Sequence, residues 1–293
     1  MPTNVEKEMR DIYSRFFRDA KSLAGEVPII DDLGFRILCG PPIVGAPILI
    51  STNPGASEET IELDGHTFWE KEWPEEMAYA REIKASAFSR RLADLFSEAN
   101  IDVRKMNATY TLMFRSKSVS EWDRGIGDRR GYANDLCSKS LREVIQLLKP
   151  RFIYAAGFGT FERLGCRDEE PDRGWGEARS GDERRITKYG SFDGIQVIST
   201  LHPSGSQYST DNRTQMAADL RQFWDEHSRD LSNPAYSNEK LLRLSTGQDH
   251  MLDEVTEACI KTVLWVAKTK ENTEGIEVSN YLDFFTEELR RRS

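Results

Sequence analysis

The chain has 293 residues, enough for one large domain with an appendage, and 38% of them are hydrophobic and 30% charged. No apolar run approaches the roughly 20 residues that a transmembrane helix needs, and the amino terminus lacks a secretory signal pattern, so we expect a cytoplasmic protein without a membrane partner. The net charge of -9 argues against DNA as a partner, because contacts with backbone phosphates dominate the affinity for nucleic acids.

Apolar spacing and turn residues predict alternating helices and strands along the chain. Helical periodicity predicts helices over 5–23, 77–99 and 138–148, and a further helix that starts at 160. A short, almost wholly apolar run predicts a buried strand at 47–51, and further strands are predicted near 103–111, at 151–156 and at 194–200. The charged, glycine-rich segment 167–188 is predicted to be an exposed insertion.

Four buried strands separated by helices predict an α/β fold with three α/β/α layers around a central four-stranded parallel sheet. We place this domain at 1–230. A linker at 231–234 then leads to a helical C-terminal extension, 231–293, for which packing on the core is the default interpretation. In such a sheet, ligand chemistry belongs at the carboxyl ends of the strands.

The cysteines and the local charge refine this picture. Cys39, Cys137, Cys166 and Cys259 lie far apart without a C-x-x-C pair, which argues against a zinc site, an iron–sulfur cluster and a disulfide scaffold.

Residues 102–151 carry eleven Lys or Arg against six Asp or Glu, whereas residues 58–84 carry nine acids against three bases. A local basic face is therefore compatible with DNA, with ordinary solvated charge as the alternative.

Two loops that directly follow predicted strands carry the candidate chemistry. The first is Thr52-Asn53-Pro54-Gly55, in which Asn53 offers both a donor and an acceptor. The second is Leu201-His202-Pro203-Ser204-Gly205-Ser206-Gln207, which contains one of only four histidines. Asn-Pro-Gly is also an ordinary turn and a lone histidine is often structural, but both loops lie where a ligand is expected.

Asn107 is the third candidate. Asparagine is unfavourable within a β-strand and needs a reason, either a hydrogen bond to a neighbouring loop or recognition of a base edge. We expect its amide to converge with the other two loops.

Taken together, these segments resemble the uracil-DNA glycosylase superfamily in residue type and in chain order. The run from Ile48 to Gly55 is similar to the first motif of its mismatch-specific and single-strand-selective branches, and His202-Pro203-Ser204 resembles the second motif. The strand with Asn107 resembles the one that supplies a pyrimidine-reading asparagine. The resemblance covers roughly 34–224.

The resemblance implies a role for each candidate residue. His202 would stabilise the departing base and Asn53 would position the attacking water, while Thr52 and Gly55 line the pocket and Phe68, with Trp69 next to it, stacks on the flipped base. Ser204, Gly205, Ser206 and Gln207 would hold the DNA strand, and we expect Arg115 and Lys117 to bind DNA as well. No cofactor is implied, and we expect a monomer.

Two departures from the superfamily weaken the expectation of strict uracil specificity. The first motif lacks the aspartate of the uracil enzymes, and the second lacks the bulky residue that wedges into the duplex. Neither motif contains lysine, which favours a monofunctional enzyme that leaves an abasic site. Because some members of the superfamily act on hypermodified phage cytosines, including glucosylated hydroxymethylcytosine, a role in anti-phage defence is one hypothesis, and uracil or mismatch repair is another.

Two further alternatives belong to other classes. A catalytically weak DNA-binding module would leave Asn53 a structural role. A dinucleotide-dependent enzyme would use Gly157-Phe158-Gly159, but this motif lacks the third glycine of the dinucleotide fingerprint.

Overall fold

The computed structural model describes residues 3–55, 72–81, 87–177, 181–203, 205 and 209–227. Contacts within the chain divide it into Met1–Arg229 and Asp230–Ser293. The predicted linker and helical extension lie outside the described residues.

Within the described residues, helices occur where the apolar periodicity predicts them, and three further helices, at 28–33, 119–125 and 210–227, were not predicted. The helices are α1 (Asn4–Ala24), α2 (Pro28–Leu33), α3 (Ala78–Arg81), α4 (Ala87–Glu98), α5 (Val119–Gly125), α6 (Arg130–Leu148), α7 (Phe158–Arg163) and α8 (Thr210–His227). Helix α1 begins with a capping box, in which the Thr3 side chain accepts from the Glu6 amide and the Glu6 side chain accepts from the Thr3 amide. Helix α6 begins well before the predicted 138, because Ala133 and Cys137 extend its buried face.

The strands form a mostly parallel central sheet and a separate hairpin. They are β1 (Ile48–Ser51), β2 (Asn107–Tyr110), β3 (Ile153–Ala156), β4 (Trp175–Glu177), β5 (Glu183–Arg185), β6 (Thr187–Phe192) and β7 (Ile195–Thr200). The central sheet has the order β2-β1-β3-β7-β6, in which only β6 is antiparallel to its neighbour, and β4 pairs with β5.

Hydrophobic cores cover both faces of the central sheet. Residues of α1, α6 and α7 pack on one face, and residues of α4 and α8 pack on the other. Because β1, β2 and β3 are buried along their whole length, their side chains are apolar or hydrogen-bonded on both sides. The mixed α/β fold with helices on both faces is confirmed.

The number of strands differs from the prediction. The described residues contain a five-stranded central sheet, because β6 pairs antiparallel with β7 from Thr187↔Thr200 to Phe192↔Ile195. The predicted exposed insertion 167–188 thus holds the β4–β5 hairpin and the start of the edge strand β6, in which polar residues interrupt the apolar pattern. The predicted strand 103–111 is shorter, since Val103–Lys105 form a 3₁₀ turn.

Candidate active site

The two candidate loops lie at the same edge of the central sheet. The loop with Asn53 follows β1, and the loop with His202 follows β7. Both strands are parallel neighbours of β3, which lies between them. Two strand spacings separate the loops, so their backbones lie on the order of 10 Å apart where they leave the sheet. This edge is the carboxyl edge at which an α/β sheet binds ligands.

The Asn53 side chain is held through its nitrogen. Asn53 Nδ2 donates to Ser116 Oγ at 2.9 Å, to the Ser116 carbonyl at 3.1 Å and to the Pro54 carbonyl at 3.1 Å. No hydrogen bond within the described part of the chain uses Oδ1. Among the described residues, the half-buried amide thus leaves its Oδ1 available to a small donor such as water.

Thr52 fixes the same loop on both sides. Its Oγ1 lies 2.9 Å from Thr160 Oγ1 of α7, and its carbonyl accepts from the Leu112 amide at 2.7 Å and from Thr111 Oγ1 at 3.0 Å. These bonds join the loop to the residues that follow β2 and to the helix that follows β3. Hydrogen bonds of Thr52 thus connect the carboxyl ends of β1, β2 and β3.

His202 lies against Gly157 and Phe88. A Cβ atom placed on Gly157 would lie 2.8 Å from His202 Cδ2 and 2.9 Å from His202 Cβ, and the φ of Gly157 is +94°. The His202 and Phe88 ring centroids are 5.3 Å apart. Although the residue is exposed, the surrounding protein desolvates the imidazole and lowers the pKa of His202 below its ordinary 6.5. The ring is consequently neutral near pH 7.

Arg91 of α4 braces the turn that follows His202. Its Nη1 donates to the Pro203 carbonyl at 2.9 Å and lies 3.4 Å from the Gly205 carbonyl, and the Gly205 amide donates to the His202 carbonyl at 2.8 Å. Arg91 also brings positive charge to this side of the site.

Asn107 does not lie with the other two loops, contrary to the prediction. It is the first residue of β2, paired with Ile48 at the amino edge of the sheet. Its Oδ1 accepts from the Ile43 amide at 2.8 Å, and its Nδ2 donates to the Ile43 carbonyl at 2.7 Å. With only 2% of its surface exposed, Asn107 anchors the loop before β1 and is not placed to read a base.

Arg115 also differs from its predicted role. It is 1% exposed, and its Nη1 donates to the Gly55 carbonyl at 3.2 Å, so it stabilises the first loop from within the protein and presents no surface to DNA. Lys117 is exposed and borders an open depression of about 530 Å³ that also includes Asp32, Glu121 and Arg124. The proposed contact of Lys117 with DNA stays a prediction.

Several predicted residues cannot be placed. Phe68, Trp69, Ser204, Ser206 and Gln207 lie outside the described residues. Gly205 is described and closes the turn after His202.

The sequence reasoning missed the residues that position the two loops. They are Phe88, Arg91, Ser116, Gly157 and Thr160. Ser116 was detectable in principle, because it follows β2 at the carboxyl edge, whereas Asn107 is the first residue of this strand. Gly157 was noticed only as part of a dinucleotide motif. Phe88 and Arg91 come from a distant helix, so no local sequence signal places them at the site.

No group of three or more His, Cys, Asp or Glu side chains in the described ranges is arranged to hold a metal ion. Cys39, Cys137 and Cys166 are buried and form no disulfide among the described residues, and burial raises the pKa of the Cys137 thiol to about 12 and that of Cys166 to about 11. Among the residues that the structure describes, no helix is both long and apolar enough to cross a bilayer.

No protein-family model matches the chain, and a search of curated proteins finds no sequence relative.

Proposed function

We propose that this protein is a DNA glycosylase that hydrolyses the N-glycosidic bond of a flipped pyrimidine or modified pyrimidine and leaves an abasic site. The observation that carries the proposal is the pair formed by Asn53 and His202. Both follow strands that flank β3, one presents a free amide oxygen and the other a neutral imidazole. The resemblance of these two loops to the glycosylase motifs supports the same conclusion.

Cleavage of the glycosidic bond places positive charge on the sugar and negative charge on the departing base. A neutral imidazole still carries one N–H, so His202 can donate a hydrogen bond to the base as its charge develops. A base in a duplex is out of reach, so the nucleotide is flipped out of the helix towards Asn53 and His202 at a cost of about a few kcal/mol.

Asn53 acts on the opposite side of the reacting bond. Its free Oδ1 accepts a hydrogen bond from a water and thereby directs a lone pair of that water to the sugar. An amide neither removes a proton near neutral pH nor balances a cation as a carboxylate does. We therefore expect slow chemistry on plain uracil and faster release of a base that leaves more readily.

A panel of DNA substrates tests this expectation about the departing base. DNAs that carry uracil, mismatched thymine, hydroxymethylcytosine or its glucosylated form are incubated with the protein and scored for abasic sites. Activity on the hypermodified cytosines would favour a role against phage DNA, and activity on uracil or mismatched thymine would favour repair.

Two variants test the residue assignment. We expect His202→Ala and Asn53→Ala to abolish detectable base release while circular dichroism and Tm stay close to those of the wild type. Full activity in both variants would disprove the assignment. Tight DNA binding without an abasic product from any base would favour the DNA-binding module instead.

A further inference from the structure

The surroundings of Asn53 dictate which end of its amide faces outward. Two of the three acceptors around Nδ2 are the backbone carbonyls of Ser116 and Pro54, and a carbonyl oxygen only accepts. The nitrogen must therefore face them, whichever way the amide is assigned. Ser116 is 1% exposed, so its hydroxyl meets Nδ2 with little competition from water.

We propose that Ser116 is a positioning residue for Asn53, and that the site selects an amide over a carboxylate at position 53. This inference rests on the proposed function and deepens it. Ser116 contributes its hydroxyl and its carbonyl to the same nitrogen. Since an amide is planar, fixing Nδ2 also fixes the direction of Oδ1 and of the water that it holds.

An ionised aspartate at position 53 would face backbone carbonyls with which it cannot form hydrogen bonds. Both oxygens of an ionised carboxylate only accept, and one of them would replace Nδ2 opposite the Ser116 and Pro54 carbonyls, each 3.1 Å from that position. The Ser116 hydroxyl could turn to donate, but the two carbonyls could not. The charged form is thus disfavoured, which raises the pKa of the introduced carboxyl.

The first test compares Asn53→Asp with Asn53→Ala and the wild type from about pH 5 to about pH 8, a range that spans a raised carboxyl pKa. We expect the single-turnover rate of N53D to lie at least tenfold below that of the wild type at neutral pH, and to recover as pH falls. The protonated carboxyl supplies an O–H to the carbonyls and leaves one acceptor outward, as the amide does. The wild type, measured at each pH, corrects for other titrating groups such as His202, and N53A gives the background rate. An N53D rate equal to or above that of the wild type at neutral pH would overturn the inference.

A measurement without substrate distinguishes a failure of this inference from a failure of the proposed function. A carboxyl whose folded pKa is raised contributes stability at low pH and loses it as pH rises through that pKa. The free energy of unfolding of N53D, relative to that of N53A, should therefore fall as pH rises. A difference that is constant or rises with pH would overturn amide selection, even if the protein releases no base from any DNA. Base release by the wild type together with such a result would leave the proposed function intact.

The second test is Ser116→Ala, which removes one acceptor and keeps the carbonyl. We expect the single-turnover rate to fall about 3–10-fold, the range for one net hydrogen bond, with an unchanged Kd for DNA and a nearly unchanged Tm. Ser120→Ala, at an exposed serine of α5, is the matched control. A wild-type rate in S116A, or a rate loss accompanied by weaker DNA binding and a lower Tm, would overturn the positioning role.

Discussion

At the scale of single residues, Gly157 has a role that its sequence context conceals. It follows β3 within a Gly-Phe-Gly motif that also suggests a dinucleotide site, but its missing side chain gives His202 room to lie over the strand end. Its φ of +94° is in addition strained for any other residue. Position 157 therefore requires glycine, because the His202 side chain occupies the space that a Cβ atom would take.

Replacing Gly157 with alanine tests this explanation. We expect G157A to lose most base release and to be destabilised by about 1–3 kcal/mol, because the new Cβ meets the His202 ring and the backbone is strained. Gly159→Ala is the control, since nothing lies within 4 Å of its Cβ position in α7. Urea unfolding and abasic-site assays check both variants, and equal behaviour of the two would contradict the explanation.

The lowered pKa of His202 gives a second prediction for a single residue. Below the ordinary pKa of about 6.5, the unfolded chain binds a proton at position 202 that the folded protein resists, so His202 stabilises less as pH falls through its folded pKa. We expect the free energy of unfolding of the wild type, minus that of His202→Gln, to decrease as pH falls from about 7 to about 5. Denaturant unfolding across this range measures it, and a difference that grows as pH falls would show that the pKa is raised.

At the scale of elements, α4 holds the loop that follows β7. Arg91 donates to the Pro203 carbonyl, so Arg91→Gln should loosen the turn that carries His202. We expect about a tenfold lower single-turnover rate, because small displacements of a reacting group are costly. Arg90→Gln, on the exposed side of the same helix, should keep the wild-type rate. Equal rates in the two variants would mean that the hydrogen bond from Arg91 to the Pro203 carbonyl does not affect catalysis.

The loop before β1 depends on β2 in a similar way. Asn107→Ala leaves the Ile43 amide without its partner and removes one of the two donors to the Ile43 carbonyl, which also accepts from the Ala46 amide at 3.3 Å, so we expect a destabilisation of about 1–3 kcal/mol. The relative rates on different bases should not change, because Asn107 lies at the opposite edge of the sheet from Asn53. A variant of normal stability with an altered base preference would restore Asn107 as a reader.

At the scale of the whole molecule, β1 and β3 were predictable, since each is a short, mostly apolar run between turn residues, and β7 was predictable from Ile195, Val197 and Ile198. The edge strand β6 was not, because Thr187, Lys188 and Ser191 break its apolar pattern. The positions of Asn53 and His202 followed from strand ends alone. The prediction for Asn107 was wrong because β2 begins at Asn107, whereas the strand was predicted near 103–111. Asn107 therefore lies at the amino edge of the sheet and not at the carboxyl edge.

The partners of the site residues could not be predicted for a related reason. Asn53 is held by Ser116, and His202 by Gly157 and Phe88, each from a different part of the chain. Such contacts depend on the order of strands in the sheet, which the sequence alone leaves open. The sequence thus indicated the candidate reacting groups, and the fold supplied the residues that orient them.

We propose hydrolysis of a glycosidic bond at this site, and identification of the reaction products tests this proposal. The wild-type protein is incubated with DNAs that carry each candidate base, and the released base and the remaining strand are identified by mass spectrometry. We expect one class of pyrimidine to appear as a free base in equal amount with abasic sites, and strand breaks only after alkali. Failure to release a free base from any of these DNAs, or strand scission without alkali, would contradict the account.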